Sequence, residues 1–158
     1  MKRQRGFSLI ELLIVVAIIL IIAAIAVPSY LRSRIAANES AAVASVRTIN
    51  TAQISFNSAY PTVGFSGTLT ALGGNNCAPP DSTSACLIDT QLAAGTKSGY
   101  NFSLTNVSGT PNATYNVIAS PVLLNGSGIR YFCSFQDSVL RFSMSAISNC
   151  DTSVTPLQ

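Results

Sequence analysis

An apolar run from Phe7 to Val27, broken only by Ser8 and Glu11, constrains this chain more than any other feature. It matches the roughly 20 residues that carry an α-helix across a hydrocarbon core about 30 Å thick. Lys2, Arg3 and Arg5 stand just before it. A secretory signal peptide would use these as its basic region and Ala24-Ile25-Ala26 as an A-x-A cleavage site. Three details oppose that reading: Glu11 falls inside the apolar stretch, the stretch outruns the roughly 7–15 residues of a signal h-region, and Pro28 follows the site closely. A plain anchor accounts for the length but not for the carboxylate. A lone carboxylate at membrane depth costs several kcal/mol unless it is neutralised, paired or turned toward protein, so Glu11 is a functional candidate.

The helical pattern continues past Val27. Pro28 removes a backbone donor and predicts a kink or a local weakening. Val43, Val46, Ile49, Gln53, Phe56 and Tyr60 then recur at three- and four-residue steps, with Ser40, Ser45, Arg47, Asn50 and Thr51 elsewhere on the wheel. Pro61 marks the end. Unbroken, a helix from Ser8 to Tyr60 would reach roughly 80 Å, too long for a domain of this size to bury. Its first half therefore needs lipid, or copies of itself, as cover. Outside lipid, burial at roughly 25 cal/mol per Å² favours a bundle of identical helices. A heterologous contact that does not close then generates a helical filament rather than a ring.

The string Gly6-Phe7-Ser8-Leu9-Ile10-Glu11-Leu12-Leu13-Ile14-Val15-Val16-Ala17-Ile18-Ile19, with Pro28 beyond it, closely resembles the N-terminus of type IV prepilins and the pilin-like pseudopilins. The resemblance is specific over about the first 60 residues and generic afterwards. It implies that a prepilin peptidase cuts on the cytoplasmic side between Gly6 and Phe7, and that the same enzyme, as N-methyltransferase, methylates Phe7. It also implies that Glu11 meets the Phe7 amine of a neighbouring subunit and helps to set the axial register of a filament. The leader Met1–Gly6 would be discarded with Lys2, Arg3 and Arg5, so the formal charge of +3 would fall to a side-chain balance of zero. Before assembly the resemblance implies a single-pass precursor in the inner membrane, N-terminus inside. Arg32 and Arg34 at the far end of the span dilute the positive-inside signal.

Residues 61–158 read as a polar head. Thr62–Asn76 is rich in Gly, Thr and Ser and reads as a loop with a short extended segment near Phe65–Leu72. Leu87–Ala94 has helical spacing with Gly95 at a C-cap position. Tyr100–Val107, Thr114–Ser120, Gly128–Gln136 and Ser138–Ser143 read as strands, separated by turn signals at Gly109-Thr110-Pro111-Asn112, Asn125-Gly126-Ser127-Gly128 and Gln136-Asp137. Short connections imply an antiparallel sheet that needs a cover, and the amphipathic half of the long helix supplies it. The expected fold is α+β, a long N-terminal helix packed on a four-stranded antiparallel sheet, the pilin fold. The chain divides as leader 1–6, membrane or filament-core helix 7–27, amphipathic helix 28–60 and β-sheet head 61–158.

Cys77, Cys86, Cys133 and Cys150 allow three connectivities. Pairing Cys77 with Cys86 and Cys133 with Cys150 closes one local element each and is favoured. The spacing is not that of a zinc site, and no His is present to assist. Disulfides need an oxidising compartment, which places the head outside the cytoplasm. In the resembling family a C-terminal disulfide frames an exposed variable loop, and Cys133–Cys150 is similar to it.

Catalysis finds no support: the chain has no His, no telling pair of carboxylates, no phosphate-cradling loop and no G-x-S-x-G with a base at hand. No cofactor or metal is called for. Asp81, Asp89, Asp137 and Asp151 follow no EF-hand pattern. Some pseudopilins bind calcium in a C-terminal loop, which marks Asp151 as a position to test, an ordinary solvated carboxylate being the plainer reading. Lys97, Arg130 and Arg141 are the head's basic residues beyond the helix, offset by four Asp, too few for a strong nucleic-acid site. Phe7, Tyr30, Phe56 and Tyr60 suit packing and interface roles rather than electron conduction. The N-x-S/T triplets at Asn38, Asn101, Asn106, Asn112 and Asn125 fit chance in so polar a head.

The functional expectation is a structural subunit that waits in the inner membrane, engages the pilus assembly machinery and polymerises with its own copies into an extracellular filament serving adhesion, motility or DNA uptake. A pseudopilin of a type II secretion system is the alternative within the same architecture. A minor pilin acting as a ligand- or DNA-binding module is the alternative of another class.

Overall fold

A computed structural model describes residues 7–74 and 77–157. The leader and the Gly6 side of the expected cleavage site lie outside the described residues. The chain has two compact units, one running to Arg34 and the other from Ile35 onward. A single helix, α1 (Leu9–Ala59), contributes to both.

In the first unit α1 is helical without interruption through Pro28. Proline here withdraws a donor without ending the element. Nearly every side chain from Phe7 to Leu31 is exposed, including Leu9 at 79% and Ile25 at 72%. That is the signature of a surface built for a solvent other than water.

In the second unit α1 ends at Ala59, two residues before Pro61, with the Tyr60 N–H still donating to the Phe56 carbonyl. Two short helical turns follow, α2 (Leu69–Leu72) and α3 (Thr90–Ala93). Then come β1 (Thr96–Lys97), β2 (Tyr100–Gly109), β3 (Asn112–Pro121), β4 (Tyr131–Phe135), β5 (Arg141–Ser143) and β6 (Thr155–Pro156). The strands form one antiparallel sheet in sequence order. The architecture is α+β and pilin-like, with six strands where the sequence predicts four. The two additional strands are two-residue edge pieces, whose pairing depends on a neighbour rather than on their own propensity.

Other boundaries also move. Leu69–Leu72 is a helical turn rather than an extended segment, because the Thr68 hydroxyl caps the Ala71 N–H. The helix expected over Leu87–Ala94 shortens to α3, because Asp89 acts as its N-cap and accepts from the Leu92 N–H. The last strand starts at Arg141 rather than Ser138, since Ser138 turns to φ +58 and the Asp137 carboxylate accepts the Val139 N–H.

The core lies between α1 and one face of the sheet. Ala42, Val46, Ile49, Ala52 and Phe56 pack with Leu69, Leu72, Tyr100, Phe102, Tyr115, Val117, Ala119 and Phe132. Alternation along β3 puts Tyr115, Val117 and Ala119 toward the helix and Asn116 and Ile118 toward the other face. That second face is covered in part by the returning C-terminal segment, where Ile118, Cys133 and Cys150 gather Phe135, Ile147 and Val154. Disulfides join Cys77 to Cys86 and Cys133 to Cys150. The second ties the returning segment to β4.

Candidate functional site

Glu11 stands in the first turn of α1. Its Oε2 accepts the backbone N–H of Ser8 at 2.9 Å, while the Ser8 carbonyl accepts the Leu12 N–H. Ser8 therefore occupies the N-cap position and Glu11 the third helical position of an S-x-x-E sequence. The capping role escapes a reading that treats the run only as a membrane span, although the S-x-x-E spacing carries the signal. One carboxylate oxygen satisfies an orphan N–H at the helix start, where the helix dipole also favours negative charge. The other oxygen has no partner among the described residues and is available to a donor from outside the chain. Phe7, one turn earlier, is 75% exposed. Arg32 and Arg34, beyond Pro28, form no ion pair among the described residues.

A second set of polar residues fixes the helix against the head. Glu39 is only 6% exposed. Its Oε1 accepts the backbone N–H groups of Ile129 and Arg130 at 2.9 and 3.1 Å, and its Oε2 accepts from the Arg130 guanidinium at 2.7–2.8 Å. Burial pushes the Glu39 pKa up, but the Ile129 N–H and the N–H and guanidinium of Arg130 outweigh it and hold it below the ordinary carboxylate value. Arg130 also lies over the Phe132 and Phe142 rings, and its carbonyl accepts the Tyr100 hydroxyl at 2.8 Å. Burial raises the Tyr100 pKa well above its ordinary value. Gly128 is obligatory here, since a Cβ would lie 2.1 Å from the Tyr100 hydroxyl oxygen.

Further along, Asn50 donates to the Ser134 hydroxyl and accepts from Tyr115, and Gln53 exchanges two hydrogen bonds with the backbone of Ser66. Asn38 donates to the Ser127 carbonyl. Asn50 and Ser45 are buried, at 4% and 5% exposure, contrary to their expected place away from the apolar stripe. Asn50 can point inward because β4 offers it Ser134 and β3 offers it Tyr115. Ser45 can because its hydroxyl bonds the Ala41 carbonyl one turn back.

Catalytic chemistry has little to work with. A cleft of about 510 Å³ beside the Cys133–Cys150 bridge is lined by Asn106, Asn116, Asn149 and Asp151 among others. Asn106 and Asn116 donate to the side-chain Oδ1 of Asn149, and Asp151 is engaged by the N–H and hydroxyl of Ser153. The lining offers no pairing of a nucleophile with a base. Among the described residues, no group of three or more His, Cys, Asp or Glu side chains could hold a metal ion.

Residues 1–27 match the family described as the prokaryotic N-terminal methylation motif. The chain is 50% identical over 54 residues to the type IV major pilin protein PilA of Myxococcus xanthus strain DK1622, a match covering 34% of this chain and 24% of that protein. It is 73% identical over 30 residues to a fimbrial protein of Pseudomonas aeruginosa, covering 19% of this chain and 20% of that protein. The matches thus span about a quarter or less of the relatives' own length. No solved structure gives a significant match. The motif match covers the apolar segment that carries Phe7 and Glu11, and the relatives resembled are a type IV major pilin and a fimbrial protein.

Proposed function

We propose that this chain is a pilin, the repeating subunit of a type IV pilus filament. The observation that carries the reading is the apolar segment from Phe7 to Val27: helical without interruption from Leu9, with its surface uncovered and one carboxylate in the first turn. In the precursor, lipid covers that surface, with the N-terminus inside and the cysteine-bonded head outside the inner membrane. A prepilin peptidase cuts between Gly6 and Phe7 and N-methylates Phe7. Cutting creates an α-ammonium at Phe7, and the unpartnered oxygen of Glu11 receives it from a neighbouring copy. Desolvated between helices, that pair is strong enough to fix where one subunit stops along the next. Residues 7–27 then form the filament core, 28–60 carry the amphipathic stripe and 61–158 form the outer head. Adhesion, motility and DNA uptake are properties of such a filament and its motors. Likeness to a type IV major pilin and to a fimbrial protein favours a pilus over a secretion pseudopilus.

The test is to shear the native host and determine the N-terminus of the released fibres by mass spectrometry. The reading expects this chain to be the bulk of micrometre-long fibres, beginning at N-methylated Phe7. Assembled chains that retain Met1–Gly6 would overturn it, and loss of exoprotein secretion on deletion, with no surface fibres, would transfer the chain to the pseudopilins.

A further inference from the structure

The described charges of the second unit pair off almost completely. Lys97 binds Asp89, Arg130 binds Glu39, and Arg141 binds Asp137. Asp151 lies within the field of Arg141. That leaves Arg47 among the cations, and Asp81 and Asp151 among the carboxylates, with no ion pair among the described residues; of the two carboxylates, Asp81 is the one that no cation influences. Arg47 and Asp81 are both exposed.

Each is set in a shaped feature. Arg47 stands on the outer side of α1 at a groove of about 310 Å³, lined also by Thr48, Thr51, Ala52, Ser55 and Leu87. The Thr48 and Thr51 hydroxyls are turned back onto the carbonyls of Ala44 and Arg47, which leaves the guanidinium as the groove's charged group, with the Ser55 hydroxyl beside it. Asp81 sits in the loop closed by Cys77 and Cys86. Its Oδ1 accepts from the N–H and hydroxyl of Thr83 and from the N–H of Ser84, which holds the carboxylate by one oxygen and leaves Oδ2 without a hydrogen bond among the described residues. A rigid loop carrying one uncompensated negative charge and a groove carrying one uncompensated positive charge, on a chain that associates with itself, are complementary.

We infer that Asp81 of one subunit docks against Arg47 of a neighbouring copy, so that the disulfide-closed loop of each head seats in the helix groove of the next. The inference rests on the filament reading and adds a contact between heads to the one between apolar helices. Such a pair is solvent-accessible and therefore selects orientation more than it supplies affinity. The Cys77–Cys86 bond then serves to present Asp81 in one geometry.

Arg47→Lys keeps the charge and supplies an amine, which a zero-length carbodiimide can join to a carboxylate in contact with it. Sheared fibres of this variant should yield a ladder of cross-linked multimers that vanishes in Arg47→Lys combined with Asp81→Asn, a change that keeps the turn-forming oxygen. Asp81→Asn and Arg47→Gln should each raise the chain shed from sedimented fibres about two- to fivefold at low salt. The double variant should shed no more than either single, and 1 M salt should erase the difference. A ladder unchanged by Asp81→Asn, or cross-links confined to monomers, would overturn the contact while leaving the pilin reading intact. Absence of fibres from the unmodified chain would instead overturn the filament reading, and the contact with it.

Discussion

Replacing Glu39 with Ala should destabilise the head by about 2–4 kcal/mol. The figure follows from four donors converging on one carboxylate: the N–H groups of Ile129 and Arg130, and Nε and Nη2 of the Arg130 guanidinium. Truncation leaves two backbone amides without an acceptor, at roughly 1–2 kcal/mol each. Breaking a fully buried ion pair costs about 3–5 kcal/mol, but Arg130 is 36% exposed and water can solvate it, so the lower part of the range applies. Glu39→Gln keeps an oxygen for both amides but loses the charge and the Oε2 acceptor of the Arg130 guanidinium, which is exposed enough to turn to water, so it should cost about 1 kcal/mol.

The two variants also separate in acid. A carboxylate whose folded pKa is depressed contributes stability that is present above its unfolded pKa and lost as pH falls through the folded value. The unmodified head should therefore lose part of its stability below about pH 4.3, and Glu39→Gln should lose less. Urea unfolding of the full chain in detergent micelles, followed by near-ultraviolet circular dichroism at pH 7 and pH 3, measures both effects. Glu39→Gln as damaging as Glu39→Ala, or an acid slope identical to that of the unmodified chain, would refute the reasoning.

Glu11→Ala should leave the head folded, as judged by the same dichroism, but reduce sheared fibre by about tenfold or more, since a desolvated amine would lose its counter-charge. Gly128→Val should lower stability by about 1–3 kcal/mol through collision with the Tyr100 ring, read as a drop in thermal midpoint. Replacing Cys133 and Cys150 together with Ser should cost about 3 kcal/mol for a bridge of sequence separation 17. It should also expose Ile118 and Phe135 to an apolar dye, whereas replacing Cys77 and Cys86 should leave that face covered.

The long helix and the sheet were legible because their signals are local and repeated. Val46, Ile49, Gln53 and Phe56 recur at helical spacing, and Tyr100–Val107 and Thr114–Ser120 are bounded by strong turn residues. What escaped depended on partners distant in sequence. Asn50 looks like a surface residue until Ser134, 84 positions away, comes to meet it. Glu39 carries no pattern of its own and becomes a central contact only when the β3–β4 connection brings Ile129 and Arg130 to it. The pairs Thr96–Lys97 and Thr155–Pro156 become strands only by lying beside β2 and β5. At the N-terminus, Gly6, Phe7 and Glu11 draw attention as a sequence motif, and the structure adds the capping contact of Glu11 to Ser8, whose S-x-x-E spacing is itself local.

The polar contacts of Asn38, Glu39, Asn50 and Gln53 have a mechanical consequence. Their partners are Ser127, the Ile129–Arg130 backbone, Ser134 and Ser66, and they are spread over roughly 22 Å of helix at 1.5 Å per residue. Sliding the helix by one turn, about 5.4 Å, would break all of them together. A pull along the helix axis therefore loads these bonds in shear and in parallel. Bonds loaded in parallel share a force that bonds opened one after another would each have to bear alone. The apolar stripe holds the helix to the sheet but offers little resistance to sliding, and the amides and the carboxylate act as the teeth of a ratchet that keep a tugged head from slipping along its own stem.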